Sequence, residues 1–308
     1  MNVAILGSGA MGCVYGGFLA GQSENKVTLI DVWKEHIQTI NEKGLTINTT
    51  EGNIVVKNVA AVTSAEGLPP QDLVIVFVKA TATQEAMSQA VNLVGPNTMV
   101  LTLQNGLGNI EKLCRVVDAK HVLGGINSYG SSIKGPGEVI LRGYGETVFG
   151  EIDSSKSKRT EDLKGVLDRA NLPANLTTNV QGRIWTKLIS NIAINSLCAI
   201  MGIKNGQLLK HPESLALMEG AVLEAVAVAK ALGITFETDD PVEYAKKVTK
   251  NTGENICSML QDVRAKRQTE ISVINGAIVE NGKKFGIPTP INMVLTNLIS
   301  VIQQNYPA

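Results

Sequence analysis

The sequence predicts an α/β protein: a doubly wound parallel sheet in the first part and an all-helical domain in the second. Three observations predict it. Short apolar runs alternate with helix-like stretches through the first half, and a glycine-rich loop closes the first of those runs. From residue 179 onward the chain changes to long helical stretches punctuated by Gly and Pro. A length of 308 residues leaves room for about two domains. The expected division is 1–178, the alternating α/β part, and 179–308, the helical part.

VAILG (3–7), KVTLIDV (26–32), DLVIVFVKA (72–80), NTMVLTLQNG (97–106) and HVLGGIN (121–127) read as strands. They lack polar alternation, as strands covered on both faces do. Residues 10–22, 33–43, 81–94 and 107–117 can supply the crossover helices between them. The stretch 46–63 interrupts this rhythm as a small β excursion, and the alternation and glycines of 135–151 suggest antiparallel edge strands. Beyond the boundary, helical patterns cover 180–200, 212–232, 241–250, 253–285 and 290–303. Pro212–Glu213 is a helix start signal and Gly233 a stop.

Composition narrows the function classes. Hydrophobic residues at 44% against 18% charged residues can fill a large core, which excludes wholesale disorder. Lys plus Arg equals Asp plus Glu at 28 each, so no basic excess favours a nucleic acid partner. Cys13, Cys114, Cys198 and Cys257 are scattered, and with three histidines they suggest neither a metal site nor a disulfide framework. The N-terminal run lacks a basic leader and passes straight into glycines, so it reads as a buried strand rather than a signal peptide. No uninterrupted apolar run approaches the ~18 residues of a membrane span. A cytoplasmic protein with no membrane partner is expected.

Gly7-Ser8-Gly9-Ala10-Met11-Gly12 is a GxGxxG between a strand and a helix. The first glycine permits the tight turn and the second lets backbone approach a pyrophosphate. The third lets helix and strand pack closely, while the helix N-terminus offers N–H donors. Asp31 follows at the end of the second strand, where a carboxylate can accept from ribose hydroxyls and repel a 2′-phosphate. The bland alternative is a tight turn and a surface Asp. Context and spacing favour a Rossmann-type dinucleotide site selecting NAD over NADP.

In the second domain Lys187, Asn191 and Asn195 recur every four residues, on one face of an otherwise apolar helix. Such groups are costly to bury without partners, so the row is either a polar stripe satisfied against the other domain or a ligand-facing set. A second cluster runs from Asn255 through Ser258 to Arg264, Arg267, Glu270 and Asn275. On one straight helix Ser258 and Glu270 would lie about 120° apart, and Asn255 and Glu270 about 60°. By pattern alone this could be a solvated charged helix.

Together these pieces resemble the ketopantoate reductase family over nearly the whole chain. The matching residues are GxGxxG at 7–12, Val-Lys-Ala at 78–80, and Gln104-Asn105-Gly106-Leu107-Gly108. WTKLISNIAIN (185–195) and ENICSMLQDVRAKRQTEISVINGAI (254–278) complete the set. The resemblance implies a cleft between a Rossmann domain and a helical domain, and reduction of a 2-oxo acid to the D-2-hydroxy acid by a nicotinamide cofactor. Carried over by position, Lys187 would be the general acid and Glu270 would orient the substrate hydroxyl or the lysine. Asn105, Asn191, Asn195, Asn255 and Ser258 would hold substrate. Lys79, Asn105 and Glu270 would also line the cofactor end.

Two departures from the family pattern stand out. Members using NADPH usually carry an arginine near the end of the second strand, whereas this chain has Asp31, which implies NADH. Ketopantoate reductases commonly read Asn-Pro-Leu-Thr-Ala where this chain has Asn195-Ser196-Leu197-Cys198-Ala199. The expectation is therefore an NAD-dependent D-2-hydroxyacid dehydrogenase acting on branched or aromatic 2-oxo acids, with 2-dehydropantoate 2-reductase as the close alternative. A non-enzymatic NAD sensor would not require Lys187, Asn191, Asn195 and Glu270 together. The β-hydroxyacid dehydrogenases carry a glycine-rich substrate motif that is absent here. The expected partner is a small-molecule 2-oxo acid, with a homodimer as the assembly to test and no metal.

Overall fold

The computed structural model describes residues 1–306. The first unit comprises Met1–Gln104 and Gly108–Val180; the second takes Asn105–Leu107 and the chain from Gln181 on. A single boundary at 178 misses that three-residue segment.

In the first unit the order is β1 (Asn2–Leu6), α1 (Ala10–Ala20), β2 (Lys26–Ile30), α2 (Lys34–Lys43), β3 (Leu45–Thr49), β4 (Gly52–Val56) and β5 (Val59–Val62). Then come β6 (Gln71–Val76), α3 (Thr83–Gln89), β7 (Val94–Thr102), α4 (Asn109–Cys114) and β8 (Val122–Asn127). The unit closes with β9 (Gly130–Gly135), β10 (Glu138–Gly143), β11 (Thr147–Glu151), α5 (Lys158–Arg169) and β12 (Ala174–Leu176). The main sheet runs β12-β11-β8-β7-β6-β1-β2-β5. From β8 to β5 every pairing is parallel, and β11 joins antiparallel to β8. Those six parallel strands follow the 3-2-1-4-5-6 order of the dinucleotide-binding fold. Their apolar runs are covered on both faces: Val3, Ile5, Leu29, Leu73, Ile75 and Leu101 are fully or almost fully buried.

The 46–63 excursion resolves into a β3–β4 hairpin belonging to a second sheet, order β4-β3-β10-β9, and β5, which returns to the main sheet beside β2. The 135–151 stretch is likewise divided. β10 pairs antiparallel with β9 and parallel with β3, while β11 belongs to the main sheet. The sequence reading had no element for α5 and β12. The α5 sequence KRTEDLKGVLDR is mostly polar, and its burial rests on Thr160, Leu163 and Leu167, with Ser157 accepting from the Thr160 N–H as cap.

The second unit is built on α6 (Val180–Met201), followed by α7 (Pro212–Ala231), α8 (Pro241–Asn251), α9 (Ser258–Arg264), α10 (Asn275–Phe285) and α11 (Pro290–Gln304). By length and composition α6 could cross a membrane, but most of it is buried inside the protein, as a core helix is. Residues 253–285 do not form one helix. After α9 the Arg267 N–H donates to the Asp262 carbonyl at 2.9 Å, and the Arg267 guanidinium pairs with the Asp262 carboxylate at 3.0 Å. Lys266 takes a left-handed φ of 52° in that turn. A 3-10 turn at Ile271–Val273 then leads into α10. The angular estimates for Ser258, Asn255 and Glu270 on a straight helix therefore do not apply.

Candidate active site

The glycine loop is set by close backbone approach. Gly7 leaves β1 at φ +95°, its N–H donating to the Ile30 carbonyl at 2.9 Å. A Cβ on Gly7 would lie 2.4 Å from the Val78 nitrogen, and one on Gly12 would lie 2.1 Å from the Gly7 oxygen. Above Gly9 there is open space, and α1 has no side-chain cap, so its first-turn N–H groups face no internal acceptor from a capping side chain. The Ser8 hydroxyl is buried and makes no hydrogen bond within the protein. An open backbone cradle, an uncapped helix start and an orphaned hydroxyl are what a pyrophosphate would complete. Ala10 and Met11 form the first turn of α1.

Asp31 is half-buried just past β2. Its Oδ1 accepts from the Trp33 N–H at 3.0 Å, leaving the other carboxylate oxygen for hydroxyl donors. Lys79 is exposed beyond β6, where its carbonyl accepts from the Ala82 N–H at 2.8 Å. Nearby lies a buried relay that sequence reasoning left unassigned. Gln104 donates to the Thr83 hydroxyl at 2.9 Å and to the Val78 carbonyl at 2.5 Å, and Thr102 donates to Gln104 Oε1 at 2.9 Å. It fixes the chain that carries Lys79. The only sequence signal was the place of Gln104 in Gln-Asn-Gly.

In the second unit, α6 carries Lys187, Asn191 and Asn195 on one face, spanning about 12 Å along its axis. Lys187 is half-buried, and loss of water lowers its ammonium pKa to about 8, against the pull of the Glu270 carboxylate, which raises it. Glu270 is buried at the start of the 271–273 turn, and Asn105 donates to its Oε2 at 3.5 Å. The Leu107 N–H holds the 105–107 segment to the Val273 carbonyl at 2.9 Å. Three residues far apart in sequence thus form one cluster: a lysine close to neutrality, a carboxylate and an amide.

Asn195 is buried and Asn191 half-buried, and among the described residues no hydrogen bond engages either side-chain amide. The Cys257 thiol donates to the Asn195 carbonyl at 3.6 Å and accepts from the Leu260 N–H at 3.4 Å, which seats the start of α9 against α6. Ser258, the first residue of α9, is exposed there. Asn255 is exposed as well, its carbonyl accepting from the Asn205 N–H at 3.1 Å. Nothing in the sequence pointed to Cys257 as the residue joining the two segments. Among the described residues no cluster of His, Cys, Asp and Glu could hold a metal ion.

A glycine loop followed by Asp31 at the end of β2, in a chain that also sets a half-buried lysine near a buried carboxylate, is the arrangement of a Rossmann-type oxidoreductase. The chain belongs to the ketopantoate reductase family. The family descriptions "Ketopantoate reductase PanE/ApbA" and "Ketopantoate reductase PanE/ApbA C terminal" match residues 3–154 and 179–303. A 2-dehydropantoate 2-reductase of Pyrococcus horikoshii is 38% identical over 97% of this chain and 96% of the relative. One of Halobacterium salinarum is 33% identical over 99% of this chain and all of the relative. Among solved structures, a D-mandelate dehydrogenase with NADH and anilino(oxo)acetate superposes at TM-score 0.93, with 31% identity and 99% coverage of both chains. A family ketopantoate reductase from Ralstonia eutropha superposes at 0.91, with 33% identity and 99% coverage of both.

Proposed function

We propose that this oxidoreductase uses NADH to reduce a 2-oxo acid to the D-2-hydroxy acid, and that 2-dehydropantoate is its substrate. The observation that carries the reading is the Lys187–Glu270–Asn105 cluster, a proton donor with a pKa near working pH held by a carboxylate and an amide. The backbone of Gly7–Gly12 would hold the pyrophosphate and Asp31 the adenosine ribose. When bound, the nicotinamide supplies the hydride. Protonated Lys187 donates its proton to the ketone oxygen, where negative charge develops as the carbonyl is reduced. Glu270 keeps that ammonium oriented, and its charge keeps the lysine protonated to higher pH than burial alone would allow. Asn191 and Asn195, whose amides have no hydrogen bond among the described residues, would fix the substrate, with Ser258, Asn255 and Asn105 as further contacts.

Relatives named 2-dehydropantoate 2-reductase support ketopantoate over branched or aromatic acids as the first reading. The likeness to D-mandelate dehydrogenase, together with Asp31 and the Ser196 and Cys198 departures, supports the second. Initial rates with ketopantoate, 2-oxoisovalerate, 2-oxoisocaproate and phenylglyoxylate, each with NADH and NADPH, separate them. Ketopantoate ahead by tenfold in kcat/KM sustains the first; parity or reversal gives the second. A cytoplasmic location and a homodimer belong to the same proposal, the latter checked by light scattering.

A further inference from the structure

Trp33 and Tyr144 are the exposed aromatic residues of the first unit, and Trp33 is the one that lies beside Asp31. It is 38% exposed, next to Val32 at 84%, whereas Trp185, in the second unit, is 3% exposed. An indole at the surface offers a large flat face that another ring can cover. Its position is also fixed. The Trp33 N–H is held by Asp31 at 3.0 Å, and the indole stacks on the His36 imidazole with centroids 4.8 Å apart and planes 9° from parallel.

His36 is in turn immobile. It is fully buried, and its Nδ1 accepts from the Gly137 N–H at 2.9 Å. That bond leaves the ring proton on Nε2, 3.3 Å from the Cys13 thiol. Cys13 donates onward to the Ser8 carbonyl at 3.1 Å. Burial lowers the His36 pKa, while the Asp31 carboxylate and the Ser8 carbonyl raise it. One chain of contacts therefore joins the indole to the glycine loop: Trp33 on His36, His36 to Cys13, Cys13 to Ser8. The exposed ring sits two residues past the ribose carboxylate and is tied to the pyrophosphate loop.

We propose that Trp33, braced by His36, is the stacking platform for the adenine of the dinucleotide. This rests on the nicotinamide-dinucleotide reading above. A purine has a π face for an indole to cover, and a ring already locked by stacking loses little freedom on binding. The contact acts on binding alone and leaves hydride transfer untouched.

Calorimetry with three ligands tests it: NADH, ADP-ribose, and reduced nicotinamide mononucleotide, which lacks the adenosine. W33A is expected to weaken NADH and ADP-ribose by the same factor, about 5- to 100-fold, the range of one base stacked on an aromatic ring. Its affinity for the mononucleotide should stay at the wild-type value. W33F should recover most of the loss, which guards against a folding defect. ADP-ribose should quench the Trp33 fluorescence in wild type. Wild-type affinity of W33A for both adenosine ligands overturns the platform while leaving the dinucleotide reading standing. A wild-type protein that binds neither NADH nor NADPH overturns both.

Discussion

The glycine loop and the Lys187 cluster do their work with different materials. The loop is made of backbone: Gly7 and Gly12 approach other main-chain atoms so closely that a single Cβ would not fit. Its chemistry comes from N–H groups and a helix start, which no side-chain exchange can neutralise. The second unit uses side chains on a sturdy helix. Burial has made its lysine a weaker base, and a carboxylate opposes that effect in part. The first site should therefore break when atoms are added, and the second when charge is removed.

The largest expected effect tests the side-chain site. Lys187→Ala should lower kcat by roughly 10²–10⁴, the usual reach of a general acid, with NADH affinity nearly intact. Stopped-flow turnover and cofactor titration on the same folded variant check it. Near-normal turnover would make the lysine a structural stripe.

Gly12→Ala tests the backbone site in the opposite way, by adding one carbon 2.1 Å from the Gly7 oxygen. The helix must move off the strand, at a cost of about 1–3 kcal/mol for overpacking. NADH affinity should fall at least tenfold, by isothermal titration, while kcat at saturating cofactor changes less. Asp31→Arg sharpens the same comparison, since here a side chain edits what the backbone holds. Replacing a carboxylate that repels a 2′-phosphate by a guanidinium that binds one should move the NADH/NADPH ratio of kcat/KM by about tenfold or more toward NADPH. A wild-type enzyme that already favours NADPH would remove Asp31 from this role.

The contrast also explains what was legible beforehand. Backbone sites depend on local sequence, so Gly7, Gly9, Gly12 and Asp31 could be read from spacing along a strand–loop–helix. The Lys187–Asn191–Asn195 row was equally plain as a helix face. That Glu270 faces Lys187 was not, because the turn at Lys266 is set by Arg267 folding back on Asp262, and helical periodicity carries no trace of it. Nor was the attachment of Asn105 to the second unit, since its partners are 165 residues away. Strand β3 pairs with β10, Thr46 opposite Glu138, far along the chain, so the second sheet could not be seen as a sheet.

Acidity tests the lysine more finely. With protonated Lys187 as the proposed proton donor, the rate of ketone reduction should fall as pH rises through about 8, while oxidation of the hydroxy acid rises over the same range. Glu270→Gln removes the charge that raises the lysine pKa, so the limb should move to lower pH. Stability follows the opposite bookkeeping. Between about 8 and the unfolded lysine value near 10.4 the unfolded chain binds more protons, so the native state gains stability with rising pH. Lys187→Met should therefore melt higher than wild type at pH 7, with the difference shrinking by pH 10. A pH-independent difference would mean that the lysine is not desolvated.

The smallest effect is expected at Ser196, next to the amide row on α6. Its hydroxyl is fully buried with no hydrogen-bond partner, so the folded protein carries the desolvation of that group uncompensated. Removing an orphaned hydroxyl leaves a void of only one atom, and the two terms nearly cancel in favour of the variant. Ser196→Ala should raise Tm by about 1–3 °C, a fraction of a kcal/mol in a protein of this size, with kcat/KM within twofold of wild type. Differential scanning calorimetry and ketopantoate kinetics on one preparation decide it. If Tm holds and KM for the 2-oxo acid rises severalfold, the hydroxyl has a partner after all, and that partner is the substrate. Ser196 would then stand with Ser8 of the glycine loop as a buried hydroxyl without an internal hydrogen bond, and the two units would share that device.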